Sequence, residues 1–411
     1  MLLNIKLFGF FFFISLASVN NADEVTCARD PFFSQVAGVP TANLTIKLYH
    51  KLAAQNPNKN LIFSPVSVIL SLALLETGAA GDTQAQLQRF LVAPGVDHDV
   101  HRIYESLQVQ LKSENVKSNL SIANGLFYGR SVTLKPEFLA SATCVQTEVQ
   151  KVNFRHKDQA LQKINGWVSE KTYGKIPKLL GADSIDSSTQ AVLTNALYLK
   201  AEWHDAFNLL SDKGTFYKGG RNNDKQQVQF FHRVGSFGYV SEDAYHIVQI
   251  PYKEQSLSLI VALPKQRNGI QTLERLLTEN RVNPLLLQFS PEHVDVHLPR
   301  FEFRLKTQMT PILREIGLGN VFSGAADFSR LSDQRITFND LIHEGYIKVN
   351  ENGTEAAAAT AVTSFRSMPR PPIREPITFI ADHPFIFAIV HPTSGTVLFI
   401  GKVNEVETSA K

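Results

Sequence analysis

The first strong hydrophobic feature is the run from Leu7 to Leu16, which holds Phe8, Phe10, Phe11, Phe12, Phe13 and Ile14. Residues Met1 to Lys6 carry one lysine and no acid, and small residues follow at Ser15, Ala17, Ser18 and Ala22. Basic, apolar, then small is the order of a secretory signal peptide, here with cleavage after Ala17 or Ala22. A membrane anchor needs about 20 apolar residues, twice the length of this core. Residues 1–22 are therefore expected to be a removed leader, and the mature chain to be soluble, secreted and extracellular.

Helical spacing comes next. Thr41 to Gln55 places Leu44, Leu48 and Leu52 on one stripe with Tyr49 beside it. Ser64 is the N-cap of a second helix, with Pro65 in its first turn and Gly78 at its end. A third starts at Asp82-Thr83 and runs through Leu87 and Phe90, and residues 159–173 form another around Ile164, Trp167 and Val168. Strand patterns mark Ala191–Leu199, Ile247–Ile250, Leu257–Leu263 and Val294–Leu298. Phe385–Val390 and Val397–Ile400, about His391-Pro-Thr-Ser-Gly395, read as a buried apolar hairpin. Helices dominate the first half and strands the second, an α+β pattern without a repeat of fixed period.

Composition narrows the partners. The 411 residues include 41 Lys+Arg and 38 Asp+Glu, a net charge of +3, with 44% apolar and 19% charged positions. That balance is globular, and too nearly neutral to make nucleic acid the partner. No later run is long and apolar enough for a membrane span. The two cysteines, Cys27 and Cys144, either pair across a long loop or stand as a leader thiol and a buried apolar one. Asn43, Asn119 and Asn352 head N-x-S/T sequons and are candidate glycosylation sites.

Catalytic motifs are missing: no G-x-S-x-G, H-E-x-x-H, phosphate loop or C-x-x-C occurs. The 12 histidines are scattered, without a close metal-ligand pairing. His383 and His391, each followed by proline, read as turn residues beside the hairpin. Neither an enzyme, nor a metal, nor a cofactor is expected.

The informative segment lies near the carboxyl end. Val349 to Val362 contains Gly353, Thr354, Glu355 and the alanines 356–359, and the stretch to 376 holds prolines 369, 371, 372 and 376 with Phe365, Arg366, Arg370 and Arg374. The prolines impose an exposed, extended loop. Propensity favours a helix for the alanine run. Alternation offers a second reading, since Thr354, Ala356, Ala358, Thr360, Val362 and Ser364 are all slender and could slide between two existing strands.

Glu351-Asn-Gly-Thr-Glu-Ala-Ala-Ala-Ala-Thr360 resembles the hinge of the reactive loop in inhibitory serpins. Further motifs similar to that family's occur in its order: Asn60-Leu-Ile-Phe-Ser-Pro-Val-Ser67, Gly78-Ala-Ala-Gly-Asp-Thr83, and Ile164-Asn-Gly-Trp-Val168 with Thr172-Tyr-Gly-Lys-Ile176. Thr194-Asn-Ala-Leu-Tyr-Leu-Lys200 with Trp203 and Phe207 follows, then Leu298-Pro-Arg-Phe301, Ala326-Asp-Phe-Ser329 and Asp382-His-Pro-Phe385. The match spans about residues 30–405. It implies one serpin domain, monomeric, with three β-sheets, eight to nine helices, an exposed loop over about 351–376, and a metastable native state. In inhibitory members a serine protease attacks the loop and forms an acyl-enzyme; the cleaved hinge then inserts into the largest sheet and deforms the protease. Insertion of about 10 residues, at ~0.5–1.5 kcal/mol per ladder hydrogen bond, would release on the order of 10 kcal/mol.

Residue by residue, the resemblance makes Glu351, Gly353, Thr354, Glu355, Ala356, Ala357, Ala358, Ala359 and Thr360 the hinge. Ser64, Ser67, Asn195 and His343 match a polar cluster under the opening sheet, Arg300 and Glu351 a pair at the top of the hinge strand, and Trp203 the entry point. Each has a plainer reading as core packing or a surface ion pair. Arg366-Ser367 is the favoured reactive bond and suits a trypsin-like protease as covalent partner; the commonest family spacing instead gives Ser367-Met368. Arg370 precedes Pro371, whose ring hinders attack. Gly345 and Lys348 depart from the family pattern. The sequon at Asn352 overlaps the pivot, so it is expected to be mostly unoccupied. Arg102, Lys112 and Lys117, about an expected helix from His98 to Lys112, are too sparse for polyanion binding. The alternative function is a non-inhibitory serpin that carries or binds a ligand.

Overall fold

The structure, a computed structural model, describes residues 44–91, 119–145, 147–253, 257–277, 289–354 and 375–407. The helices among them are α1 (44–55), α2 (Pro65–Gly78), α3 (Gly81–Leu91), α4 (Pro136–Cys144), α5 (Lys157–Lys171), α6 (Ile270–Leu276) and α7 (Met309–Leu313). The strands up to the middle of the chain are β1 (Leu61–Phe63), β2 (Asn119–Gly129), β3 (Glu148–Val152), β4 (Ala191–Glu202), β5 (Asn208–Tyr217), β6 (Lys225–Ser241) and β7 (Tyr245–Pro251). Those beyond are β8 (Ser258–Pro264), β9 (Ser290–Pro299), β10 (Phe301–Gln308), β11 (Phe338–Asn350), β12 (Gly353–Thr354), β13 (Ile377–Ile380), β14 (Phe385–His391) and β15 (Thr396–Val403).

The six-stranded sheet runs β10-β11-β12-β4-β2-β3, with β11 also pairing β4 directly. Strand β4 is buried from Ala191 through Leu199 because both of its faces are covered. Leu193, Leu197 and Leu199 enter the main core, while Val192, Ala196 and Tyr198 face a second core with Phe127, Ile164, Trp167 and Val168. Helix α5 supplies the last three and covers that outer face. On the inner face α2 packs against β2, β4 and β15, between the two sheets. Being enclosed on every side, it is apolar all round, as Val66, Ile69, Leu70, Leu72 and Leu75 show. Its start is as expected: the Ser64 side chain accepts from the Ser67 N–H, and Pro65 occupies the first turn.

The second sheet has nine strands, ordered β1-β15-β14-β8-β7-β6-β9-β13 with β5 on β6. The expected hairpin is there, β14 against β15, buried at every residue. The expectation of three sheets is corrected to two hydrogen-bonded sheets among the described residues. Strand β6 is the reason. Its 17 residues pair β5 near the start, β9 through the middle and β7 at the end, so one strand joins what would otherwise be two sheets. Seven α-helices fall among the described residues. The leader at 1–22, Cys27, Asn43 and the expected helix at 98–112 lie outside them. No helix among the described residues is long and apolar enough to cross a membrane.

Beside the hairpin, His383 lies in the bend before β14 and His391 within the strand rather than the turn, and both are buried. The His383 ring bonds Asp382 and the Pro264 carbonyl, and His391 ends β14 with Nδ1 against Ser394 Oγ.

Candidate functional site

Strands β4 and β11 run parallel and pair directly from Ala191/Phe338 to Leu197/Gly345. Above that point they separate, and β12 occupies the gap. Thr354 lies between Val349 and Ala201, and Gly353 between Asn350 and Glu202. Gly353 and Thr354 of the hinge are thus already a strand of the sheet. Residues 355–374, with Glu355, the alanines, Thr360, Arg366, Ser367 and Met368, lie outside the described residues.

Gly353 has φ +145°, and a Cβ there would lie 2.0 Å from the Ala201 carbonyl oxygen. Only glycine fits this pivot. Thr354 points inward, 2% exposed, with its hydroxyl 2.6 Å from the Tyr252 hydroxyl. Burial pushes the Tyr252 phenol up, so it stays protonated and able to donate. Trp203 stacks on Tyr252 with ring centroids 4.7 Å apart, and its indole N–H donates to the Asn350 carbonyl at 2.8 Å. Its backbone N–H donates to the Asn352 carbonyl, and that of Phe207 to the Glu351 carbonyl. Trp203 therefore does more than fill the core: it fastens both sides of the turn entering β12.

Arg300 forks onto Glu351. Nε bonds Oε2 at 2.7 Å and the second nitrogen bonds Oε1. Burial acts to raise the Glu351 carboxyl, but the Arg300 hydrogen bonds outweigh it and hold the group below its ordinary value. Lys348 pairs with Glu302 at 2.9 Å, so the departure at this position has a local acid partner. Gly345 lies against Ile62, where a Cβ would come within 3.2 Å.

Lower down, where β4 and β11 touch, His343 and Asn195 are register partners. Ser64 donates its backbone N–H to His343 Nε2 at 2.9 Å, which puts the ring proton on Nδ1, 2.5 Å from Asn195 Oδ1. Asn195 Nδ2 donates to Asn124 Oδ1 at 2.7 Å and to Ser71 Oγ at 3.3 Å. All five are buried. Burial drives the imidazole pKa down to about 3, so the ring is neutral. Ser64, Asn195 and His343 come together as expected. Ser67 only flanks them, and its hydroxyl, like Asn124 Nδ2, meets no protein partner among the described residues. Asn124 and Ser71 went unforeseen. The signal for Asn124 is its place opposite Asn195 across β2 and β4, which requires the register.

Cys144, at the end of α4, is buried and is not a free thiol. Asn119 opens β2. Asn352 is half-buried, with its backbone N–H on Asn350 Oδ1.

A family model described as serpin (serine protease inhibitor) matches residues 40–406. Leukocyte elastase inhibitor of Sus scrofa is 33% identical over 369 residues, covering 87% of this chain and 96% of that protein. Serpin B8 of Homo sapiens is 33% identical over 365 residues with the same coverage. The solved structure of Serpin48, a highly specific serpin of the insect Tenebrio molitor, superposes with a TM-score of 0.80 at 26% identity, covering 91% of this chain and 99% of that one. These relatives correct the expected destination. Leukocyte elastase inhibitor and serpin B8 are intracellular serpins, so the extracellular localisation read from the apolar leader is withdrawn.

Proposed function

The chain belongs to the serpin family, whose members are protease inhibitors rather than enzymes, and on that premise we propose that it is a suicide-substrate inhibitor of a trypsin-like serine protease. One observation carries this reading: Gly353 and Thr354 are already paired between β11 and β4, in register with both. A cleaved loop needs only to extend that strand downward, the even-numbered side chains following Thr354 inward.

Arg366 is the bait. The protease serine Oγ attacks the Arg366 carbonyl carbon, the bond to Ser367 nitrogen breaks, and the new amine leaves with the proton that the protease histidine carries. The ester holds the protease on the hinge side. Insertion then separates β4 from β11, exchanging the His343–Asn195 contact and the pairing from Ala191 to Leu197 for two new ladders. With roughly 10 residues inserted, the gain is on the order of 10 kcal/mol. Small side chains at Ala356 and Ala358 let the strand enter without displacing the packed core. Asn352, whose backbone is held on both sides, is taken to be unglycosylated.

Incubation with trypsin and with an elastase, followed by denaturing electrophoresis, tests the proposal. We expect a covalent band with trypsin that R366A abolishes. A band with elastase alone would overturn the trypsin-like specificity and leave the inhibitor. Clean cleavage by both enzymes without a band would overturn inhibition and favour a carrier.

A further inference from the structure

The outer face of β6 and β9 carries a second constellation, independent of the inhibitory loop. Along β9 the side chains of Val294, Val296 and Leu298 are fully buried, which turns Asp295 and His297 to the opposite face. His232 of β6 is the register partner of His297. His297 Nε2 lies 3.0 Å from one Asp295 oxygen and His232 Nδ1 lies 3.5 Å from the other. The two imidazoles stack with centroids 5.1 Å apart, and all three donor atoms fall within 4.8 Å of one another.

We propose that His232, Asp295 and His297 form a binding site for a divalent transition-metal ion of the zinc class. Two imidazoles and one carboxylate are a donor set that suits zinc, with a fourth position left for water or an outside ligand. The spacing agrees. A tetrahedral ion with bonds of ~2.0–2.1 Å sets its ligands ~3.3 Å apart, and the two Asp295 contacts bracket that value. All three residues sit on paired strands rather than loops, which holds the donors without ordering a flexible segment. His297 also forms one wall of an open pocket of about 510 Å³, with Leu210, Asp212, Phe230, Ile380 and Asp382 among its other walls. His297 thus gives the site a solvent-facing side.

The full-length protein, freed of metal with a chelator, should be titrated with Co²⁺ and, separately, with Zn²⁺ by calorimetry. One ion per chain is expected. Co²⁺ should show the visible absorption of a low-coordinate site, and Zn²⁺ should displace it. H232Q, D295N and H297Q should each weaken binding at least ~tenfold and remove the Zn²⁺-dependent rise in melting temperature, while H156Q, at a distant exposed histidine, changes nothing. Failure of the wild-type protein to bind either ion would overturn the site. So would binding whose strength is the same in H232Q and H297Q, which would place the ion elsewhere.

Discussion

His343 is enclosed, neutral and held by a donor on one side and an acceptor on the other, so its protonation would set a new Nε2–H donor against the Ser64 N–H donor. Its pKa falls from 6.5 to about 3 on burial. Below pH 6.5 the unfolded chain binds a proton that the native chain refuses, so this residue makes stability fall as pH falls, until about pH 3. The slope is at most ~1.4 kcal/mol per pH unit. Urea midpoints measured from pH 7 to pH 4 should therefore fall more shallowly in H343Q than in the parent, and parallel curves would remove this assignment. At Gly353 the constraint is steric. G353A must push β12 off Ala201, with strain of about 1–3 kcal/mol, and should lower the native melting temperature by ~1–6 °C. An unchanged melting temperature would mean that the hinge is not paired in solution. Arg300 and Glu351 are partly solvated, at 41% and 16% side-chain exposure, so their fork is screened. A double-mutant cycle with R300A and E351A should give a coupling of about 1 kcal/mol, and additive effects would contradict the fork.

At the scale of elements, the hinge region is a contest between two ladders. Below Leu197 and Gly345 the strands β4 and β11 satisfy each other; above, β12 satisfies both. The Trp203–Tyr252 stack closes the opening over Thr354, so W203F, which keeps a ring but loses the bond to Asn350, should loosen β12. Hydrogen exchange at the Thr354 and Glu202 amides should accelerate in W203F while β14 and β15 stay protected; equal protection would show that the indole is plain packing. Much of this architecture is legible in the sequence. The Ser64-Pro65 cap, the apolar run of β4 and the hairpin of β14 and β15 follow from local pattern alone. The strand at Gly353–Thr354 does not, because alanine propensity pulls toward helix and only the vacancy between two strands overrides it. The joining of sheets by β6 depends on where a long strand bends, which its composition does not record. The cluster of His232, Asp295 and His297 was missed for a related reason. His293, Asp295 and His297 alternate visibly along one strand, but His232 arrives only through the β6–β9 register.

For the molecule as a whole, the inhibitory account requires that the intact fold not be the most stable arrangement of this chain. Between β4 and β11 the sheet holds Gly353 and Thr354 at its upper end, while direct pairing and the His343–Asn195 contact hold the lower half shut. Helix α5 covers one face of this sheet and α2 the other, so separation of β4 from β11 repacks both cores at once. The direct measurement is calorimetry of the protein before and after a single cut in the loop beyond Thr360, with both fragments retained. Ten or so new ladder hydrogen bonds, taken at ~1–2 °C per kcal/mol for a chain of this size, should raise the melting temperature by about 10–20 °C. An identical or lower melting temperature in the cut protein would contradict the account.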